Sequence, residues 1–395
     1  MLISLALIFL IGIAMGSIFQ KLRLPGLLGM LVTGIILGPY VLNLIDRSIL
    51  NISAELRQIA LIIILLRAGL SLDLNDLRKV GRPAILMCFV PACFEIAGMV
   101  LLAPMLLGIS VLDAAIMGAV VAAVSPAVVV PRMLKLMNES YGTVKSIPQL
   151  IMTGASVDDV FVIVMLSSFL SLSTGEGGSW VQFAHIPVSI VLGVLVGAVC
   201  GFVLSILFKK LHMRDSVKVI ILLSTAFLLV SVEKLVEHVV PFSGLLAAMA
   251  VGVALLKFYS VAAKRVSPKL SKLWVAAEIL LFVLVGSTVD VSYAMSAGMM
   301  AVVLILLALL FRMTGVYVCM VNTPLSGRER LFCMIAYIPK ATVQAAIGGL
   351  PLAMGLPCGR IVLTVAVLSI LITAPLGALG VDLTYKRLLS AKELQ

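Results

Sequence analysis

Long apolar runs alternate along the chain with short polar breaks. Apolar stretches of about 20 residues, the length that crosses hydrocarbon as a helix, fall at about 2–20, 25–43, 53–72, 83–107, 112–134, 147–172, 186–208, 216–235, 241–257, 270–290, 293–321, 330–350 and 360–381. The connections between them are short, about ten residues each, so no extramembrane domain fits between spans. The pattern predicts an all-α polytopic membrane protein with 13 transmembrane helices. Residues 1–20 carry neither a basic leader nor a small-residue cleavage pattern and read as a first span, not a signal peptide.

Composition agrees. Of 395 residues, 62% are hydrophobic and 12% charged, with a mean hydropathy of +1.23. That charge density is about half of what a soluble surface needs, and the apolar content excludes disorder. The net charge of +11 does not point to nucleic acid, because the positive residues lie in short loops on one side. That side holds 22 of the 29 basic residues, from Lys21 and Arg23 through Arg132, Lys135 and Lys145 to Lys386, Arg387 and Lys392. Arg47, Arg57, Lys234 and Arg360 face the other way, and Arg67, Arg312 and Lys340 sit within spans. The bias places the first side in the cytoplasm, with the N-terminus outside, the C-terminus inside and the plasma membrane as the location. The six cysteines lack paired metal spacing and read as buried thiols. His185, His212 and His238 are isolated loop histidines.

The sequence also repeats itself. GLLGMLVTGIIL at 26–37 matches GLLAAMAVGVAL at 244–255 with an offset of 218. Gly69 and Asp73 match Gly286 and Asp290 at 217, and Pro126 matches Pro339 at 213. Seven spans separate the paired segments, so the two halves face opposite ways: an inverted-topology repeat, as in many secondary transporters. The span left over carries Gly193, Gly197 and Gly201 at helical spacing. This stripe admits a close neighbour, either in a second subunit or within the chain.

Pro126 and Pro339 lie inside spans at equivalent places of the two repeats. Proline removes a backbone donor and clashes one turn back. Freed carbonyls and amides persist at membrane depth only where they line a cavity or find partners, so two matched helix breaks predict a binding site. Around them sit charges that are costly at mid-bilayer, about 2.5–3.5 kcal/mol each on insertion scales: Glu95, the pair Asp158 and Asp159, Arg312 and Lys340. Glu95 and Arg312 are 217 apart, at equivalent repeat positions, and suit an isolated salt bridge whose charges could be exchanged. Three acids against two bases leave one negative charge over. An unpaired carboxylate in that medium must hold either a proton or a cation. Arg67 and Glu278 are nearer the cytoplasmic interface, where snorkelling and a funnel role are equally open. No zinc-protease, P-loop or serine-hydrolase motif occurs, so nothing supports an enzyme.

The segments GASVDDVF, AAVSPAVVVP and IPKATVQAAIGG resemble those of the monovalent cation:proton antiporters, most closely the NHA-type sodium/proton antiporters. The resemblance spans essentially the whole chain. It implies a homodimer whose subunits have a panel domain (1–75 and 213–291), a linker helix (176–212) and a core ion-transport domain (76–175 and 292–395, ending in a short cytoplasmic tail) with two crossed, broken helices. It makes Asp159 the main ion-binding carboxylate and Asp158 its partner, itself paired with a base. Arg312 stands where electrogenic relatives have a lysine, and arginine does not readily give up its proton. The expected pairing is Arg312 with Glu95 and Lys340 with Asp158. Ser125 precedes the first break, where many relatives carry an acid.

The expected function is exchange of Na⁺ or Li⁺ for H⁺ by alternating access. Asp159 and Asp158 hold the ion or the proton, and Thr153, Ser156, Ser125 and nearby carbonyls complete an oxygen shell suited to a hard cation. No cofactor is expected. A K⁺/H⁺ exchanger or a cation-coupled organic anion carrier on the same fold is the alternative, and an ion-gated channel or receptor is the reading from another class.

Overall fold

The computed structural model describes residues 1–71, 81–173, 180–211, 213–236 and 242–390. Asp73, Arg78, Lys79, His212, His238 and Lys392 lie outside the described residues, as do the side chains of Ser156, His185 and Lys234. Helices make up the described elements: α1 Leu2–Lys21, α2 Gly26–Leu37, α3 Arg47–Asn51, α4 Ser53–Ser71, α5 Arg82–Met87, α6 Val90–Leu107, α7 Val111–Val121, α8 Pro126–Asn138 and α9 Ile147–Ser173. There follow α10 Trp180–Lys210, α11 Asp215–Val236, α12 Gly244–Phe258, α13 Ser260–Ser287, α14 Val291–Cys319, α15 Gly327–Ala336, α16 Thr342–Ile347, α17 Leu350–Ala353 and α18 Gly359–Leu388.

Among the described residues, nine helical stretches are long and apolar enough to cross a membrane. The remaining expected spans fall short of that measure for visible reasons. α2 and α12 are short, α4 carries Glu55, Arg57 and Arg67, and the span expected at 330–350 is divided between α15 and α16.

Contacts group the chain into two compact units. The first comprises Met1–Ala54, Leu74–Ser173 and Leu281–Gln395; the second comprises Glu55–Asp73 and Thr174–Leu280. Within the first, α2 and the end of α13 meet at glycines. A Cβ on Gly34 would run into the Val283 carbonyl, and one on Gly286 into that of Leu31. Within the second, Gly69 of α4 and Gly252 of α12 meet in the same way, Gly69 against the Met249 carbonyl and Gly252 against that of Leu66. Backbones can approach this closely only where no side chain intervenes. The stripe Gly193, Gly197 and Gly201 is also occupied from within the chain, facing Ser243, Ala247 and Val251 along α12. Of its two open readings, the structure selects packing inside the subunit.

Both interrupted spans are divided outright. α7, capped by Ser110, ends at Val121, and the chain is non-helical until Pro126 opens α8 as its first residue. That is a position where the missing N–H costs nothing. α15 starts with a capping box between Ser326 and Glu329, a reciprocal arrangement that satisfies two free backbone donors. It ends at Ala336, and α16 begins at Thr342.

Candidate charge network at the helix breaks

The two gaps, 122–125 and 337–341, cross in the first unit. The Ser125 amide donates to the Pro339 carbonyl at 2.8 Å, and the Ser125 and Thr342 hydroxyls are 3.3 Å apart. Each group freed by the breaks is a liability at this depth, and named side chains satisfy most of them. The Val121 carbonyl accepts from Lys340 Nζ at 2.7 Å and from Gln344 Nε2 at 3.1 Å. The Ala122 carbonyl accepts from Arg312, and the Ala123 carbonyl from Gln344 Nε2 at 2.8 Å. Val124 N–H donates to Asp158 Oδ2 at 2.9 Å. In the second gap, the Tyr337 carbonyl accepts from Arg312 Nε at 2.9 Å, and Lys340 N–H donates to Thr373 Oγ1 at 3.0 Å.

The charged side chains join these ends. Arg312, Glu95, Asp158 and Lys340 are all fully buried. Arg312 reaches Glu95 Oε2 at 3.1 Å with one terminal nitrogen and Asp158 Oδ2 at 2.7 Å with the other. Its guanidinium also stacks 5.4 Å from the Tyr337 ring centre. Lys340 Nζ lies 2.7 Å from each Glu95 oxygen, with its hydrogen bond going to Oε2. The expected pairing of Lys340 with Asp158 is therefore corrected. The ammonium is a point charge that goes to Glu95, whereas the planar fork of arginine spans two carboxylates at once. Glu95 is shared by two bases and Asp158 is held by one.

Asp159 stands apart from this arrangement. It occupies the middle of α9 and is 8% exposed. It makes no ion pair among the described residues, and its Oδ1 has no hydrogen-bond partner. Asp158 Oδ1 is likewise buried without a partner. Ser125 is buried at the crossing. Thr153 is buried on the same helix as the aspartates, but six residues before Asp159 it is turned roughly 120° away from it around the helix. Arg67 and Glu278 belong to the second compact unit, where Glu278 interacts with Trp274 and Arg67.

Several contributors escaped the sequence reading. Thr373 holds the second gap by a hydrogen bond, and Gln344, noticeable in the sequence only as a polar residue following the second break, caps carbonyls of the first. A clearer signal lay in the repeat. At the offset of 217 that relates Glu95 to Arg312, Phe94 matches Phe311 and Gly98 matches Gly315. The structure exchanges them: Phe311 packs on Gly98, where a Cβ would come within 2.7 Å of the ring, and Phe94 packs on Gly315. The Glu95–Arg312 contact lies between these two insertions.

Comparison with known proteins gives a consistent placement. The transmembrane sodium/hydrogen exchanger family matches residues 5–386. Sodium/hydrogen exchanger 9B2 of Mus musculus is 32% identical over 408 residues, covering 99% of this chain and 74% of that protein. The Homo sapiens 9B2 protein is 33% identical, covering 94% and 71%, and human sodium/hydrogen exchanger 9B1 is 32% identical, covering 96% and 76%. In three dimensions the fold is similar to that of the sodium proton antiporter MjNhaP1 from Methanocaldococcus jannaschii at pH 8. The TM-score is 0.86 at 20% identity, with 97% of each chain covered. By sequence along nearly its whole length, the chain belongs to the transmembrane sodium/hydrogen exchanger family, multi-pass membrane cation/proton antiporters and not enzymes.

Proposed function

We propose that the protein exchanges Na⁺, or Li⁺, for H⁺ by alternating access, with Asp159 as the group that both occupants share. One observation carries this reading: Asp159 is a buried mid-helix carboxylate without an ion-pair partner among the described residues, next to a network whose two acids and two bases already balance. An isolated ionised carboxylate is too costly to keep at this depth. It is neutral with a proton or with a monovalent cation, and one occupant displaces the other. The second partnerless oxygen, on the adjacent Asp158, is a candidate further ligand, and so is Ser125 at the crossing.

The architecture we propose around this site has 13 spans, the nine long ones together with α2, α4, α12 and the α15–α16 pair. An inverted repeat is supported by the exchanged Phe94–Gly315 and Phe311–Gly98 insertions and by the two glycine contacts, whose members match at offsets of 218 and 217. The loop charges support an N-terminus outside and a C-terminus in the cytoplasm. A homodimer and the division into panel, linker and core segments remain part of this proposal.

The test is proton flux in proteoliposomes under an imposed Na⁺ gradient. Wild-type protein should drive protons uphill, and Asp159→Asn should abolish that flux. Unchanged flux in Asp159→Asn refutes the site. Flux that dissipates the gradient without moving protons uphill refutes exchange in favour of a channel. Replacing Na⁺ by Li⁺ or K⁺ in the same assay identifies the cation.

A further inference from the structure

Gln344 is fully buried in the first turn of α16, and its amide is used one-sidedly. Nε2 donates to two carbonyls of the other break, Val121 at 3.1 Å and Ala123 at 2.8 Å, while Oε1 has no partner. Buried amides normally satisfy both ends. Here the donor end has been favoured at the expense of the acceptor.

Its two targets lie in a run of three consecutive carbonyls, 121 to 123, each capped by a side-chain donor. Lys340 and Arg312 supply the other caps. These two cations are committed to Glu95 and Asp158, so Gln344 is the one cap that carries no charge. It is also the side chain that holds Ala123, next to the Val124 N–H that Asp158 accepts.

We infer that Gln344 is a positioning residue that sets cation preference, by keeping the Ala123 carbonyl engaged and out of the ion's shell and by sharing the Val121 carbonyl with Lys340. The shell then rests on carboxylate oxygens. Strong-field anionic oxygens favour a small, hard cation, whereas additional neutral carbonyls suit a larger one such as K⁺. Losing the amide leaves the Val121 carbonyl to Lys340 alone and frees the Ala123 carbonyl, next in the chain to the Val124 N–H that Asp158 holds, which shifts the balance toward K⁺. The inference rests on the assignment of Asp159 as the ion site.

The experiment compares wild type, Gln344→Met, Gln344→Asn and Asp159→Asn in proteoliposomes, reading maximal rate and apparent KM for Li⁺, Na⁺ and K⁺. Methionine keeps the length and loses both donors; asparagine keeps an amide that reaches less far. For Gln344→Met, the Na⁺-over-K⁺ preference should fall about five-fold, the scale of one net buried hydrogen bond. The two KM values should move in opposite directions, and Gln344→Asn should fall in between. A merely structural role lowers all rates together and leaves the ratios unchanged, and that result overturns the inference, as does wild-type behaviour. If Gln344→Met does not fold, the ratio is read on Gln344→Asn, where no change is equally fatal. Full activity in Asp159→Asn defeats the underlying site assignment instead, so the two failures are told apart.

Discussion

If Glu95 and Arg312 formed an isolated pair, exchanging the two charges would rescue the damage done by reversing either one. The structure predicts the opposite. Glu95 also faces Lys340 at 2.7 Å, and Arg312 also faces Asp158 at 2.7 Å. The combination Glu95→Arg with Arg312→Glu preserves attraction between positions 95 and 312. It sets a guanidinium against Lys340 and a carboxylate against Asp158, and removes the donors that hold the Ala122 and Tyr337 carbonyls. At an effective dielectric constant of about 20, a pair of unit charges about 4 Å apart is worth about 4 kcal/mol. Inverting two such contacts costs about 16 kcal/mol before relaxation. Half of that is still comparable with a whole domain's stability of about 5–15 kcal/mol. The double variant should be no more stable than the worse single one.

The assay is thermal unfolding of detergent-purified protein, followed by monodispersity on a sizing column. A companion pair sharpens it. Glu95→Gln strands Lys340, a loss on the scale of a broken buried ion pair, about 3–5 kcal/mol. Lys340→Met costs less, because Glu95 keeps Arg312. Adding Lys340→Met to Glu95→Gln should then restore stability. A charge swap that melts above both single reversals would refute the shared network and reinstate an isolated pair.

Two further outcomes follow from packing and loop chemistry. Gly69→Leu should destabilise the protein by several kcal/mol, the upper range for overpacking, because the new side chain meets the Met249 backbone rather than a movable side chain; a melting temperature within a degree or two of wild type contradicts that contact. The exposed Asp46 carboxyl is held at about 2, chiefly by the Ser48 backbone N–H and then by the Ser48 hydroxyl. This folded value lies below the ordinary 3.8, so the contribution of its contacts is complete above that value and fades as pH falls through about 2. An NMR titration of the Asp46 carboxyl carbon should show the low midpoint, and one near 3.8 removes the claim.

Much of this was readable before any coordinates. Helix positions followed from apolar length alone, and Pro126 and Pro339 located the breaks, because proline's missing donor acts locally. What could not be read was which charge meets which. Glu95, Asp158, Arg312 and Lys340 are separated by up to 245 residues in sequence, and charge counting constrains their sum without fixing their partners. The shape of the side chain decided it: one guanidinium has two ends and one ammonium has a single centre. Gln344 was legible only as an oddity, since its value depends on two carbonyls that exist as free acceptors only after α7 has ended at Val121. The Gly98 and Gly315 notches were present in the sequence and went unread, because a phenylalanine and a glycine four residues apart acquire meaning only when the other copy of the same pattern is laid across them.

This geometry also bears on how an occupant of Asp159 could be felt by the fold. Asp158 is its covalent neighbour, and through Oδ2 it holds the Val124 N–H of the first break and the Arg312 guanidinium. Arg312 in turn holds the Tyr337 carbonyl of the second break. A proton or cation arriving beside Asp158 changes the field on a carboxylate that clamps both breaks, and in a low-dielectric interior that change is poorly screened. Had Asp159 possessed its own base, loading and unloading would have required breaking a buried ion pair each time, at several kcal/mol. On the proposed assignment of Asp159, an exchangeable charge next to a balanced network, and outside it, lets the occupant change while the crossing stays assembled.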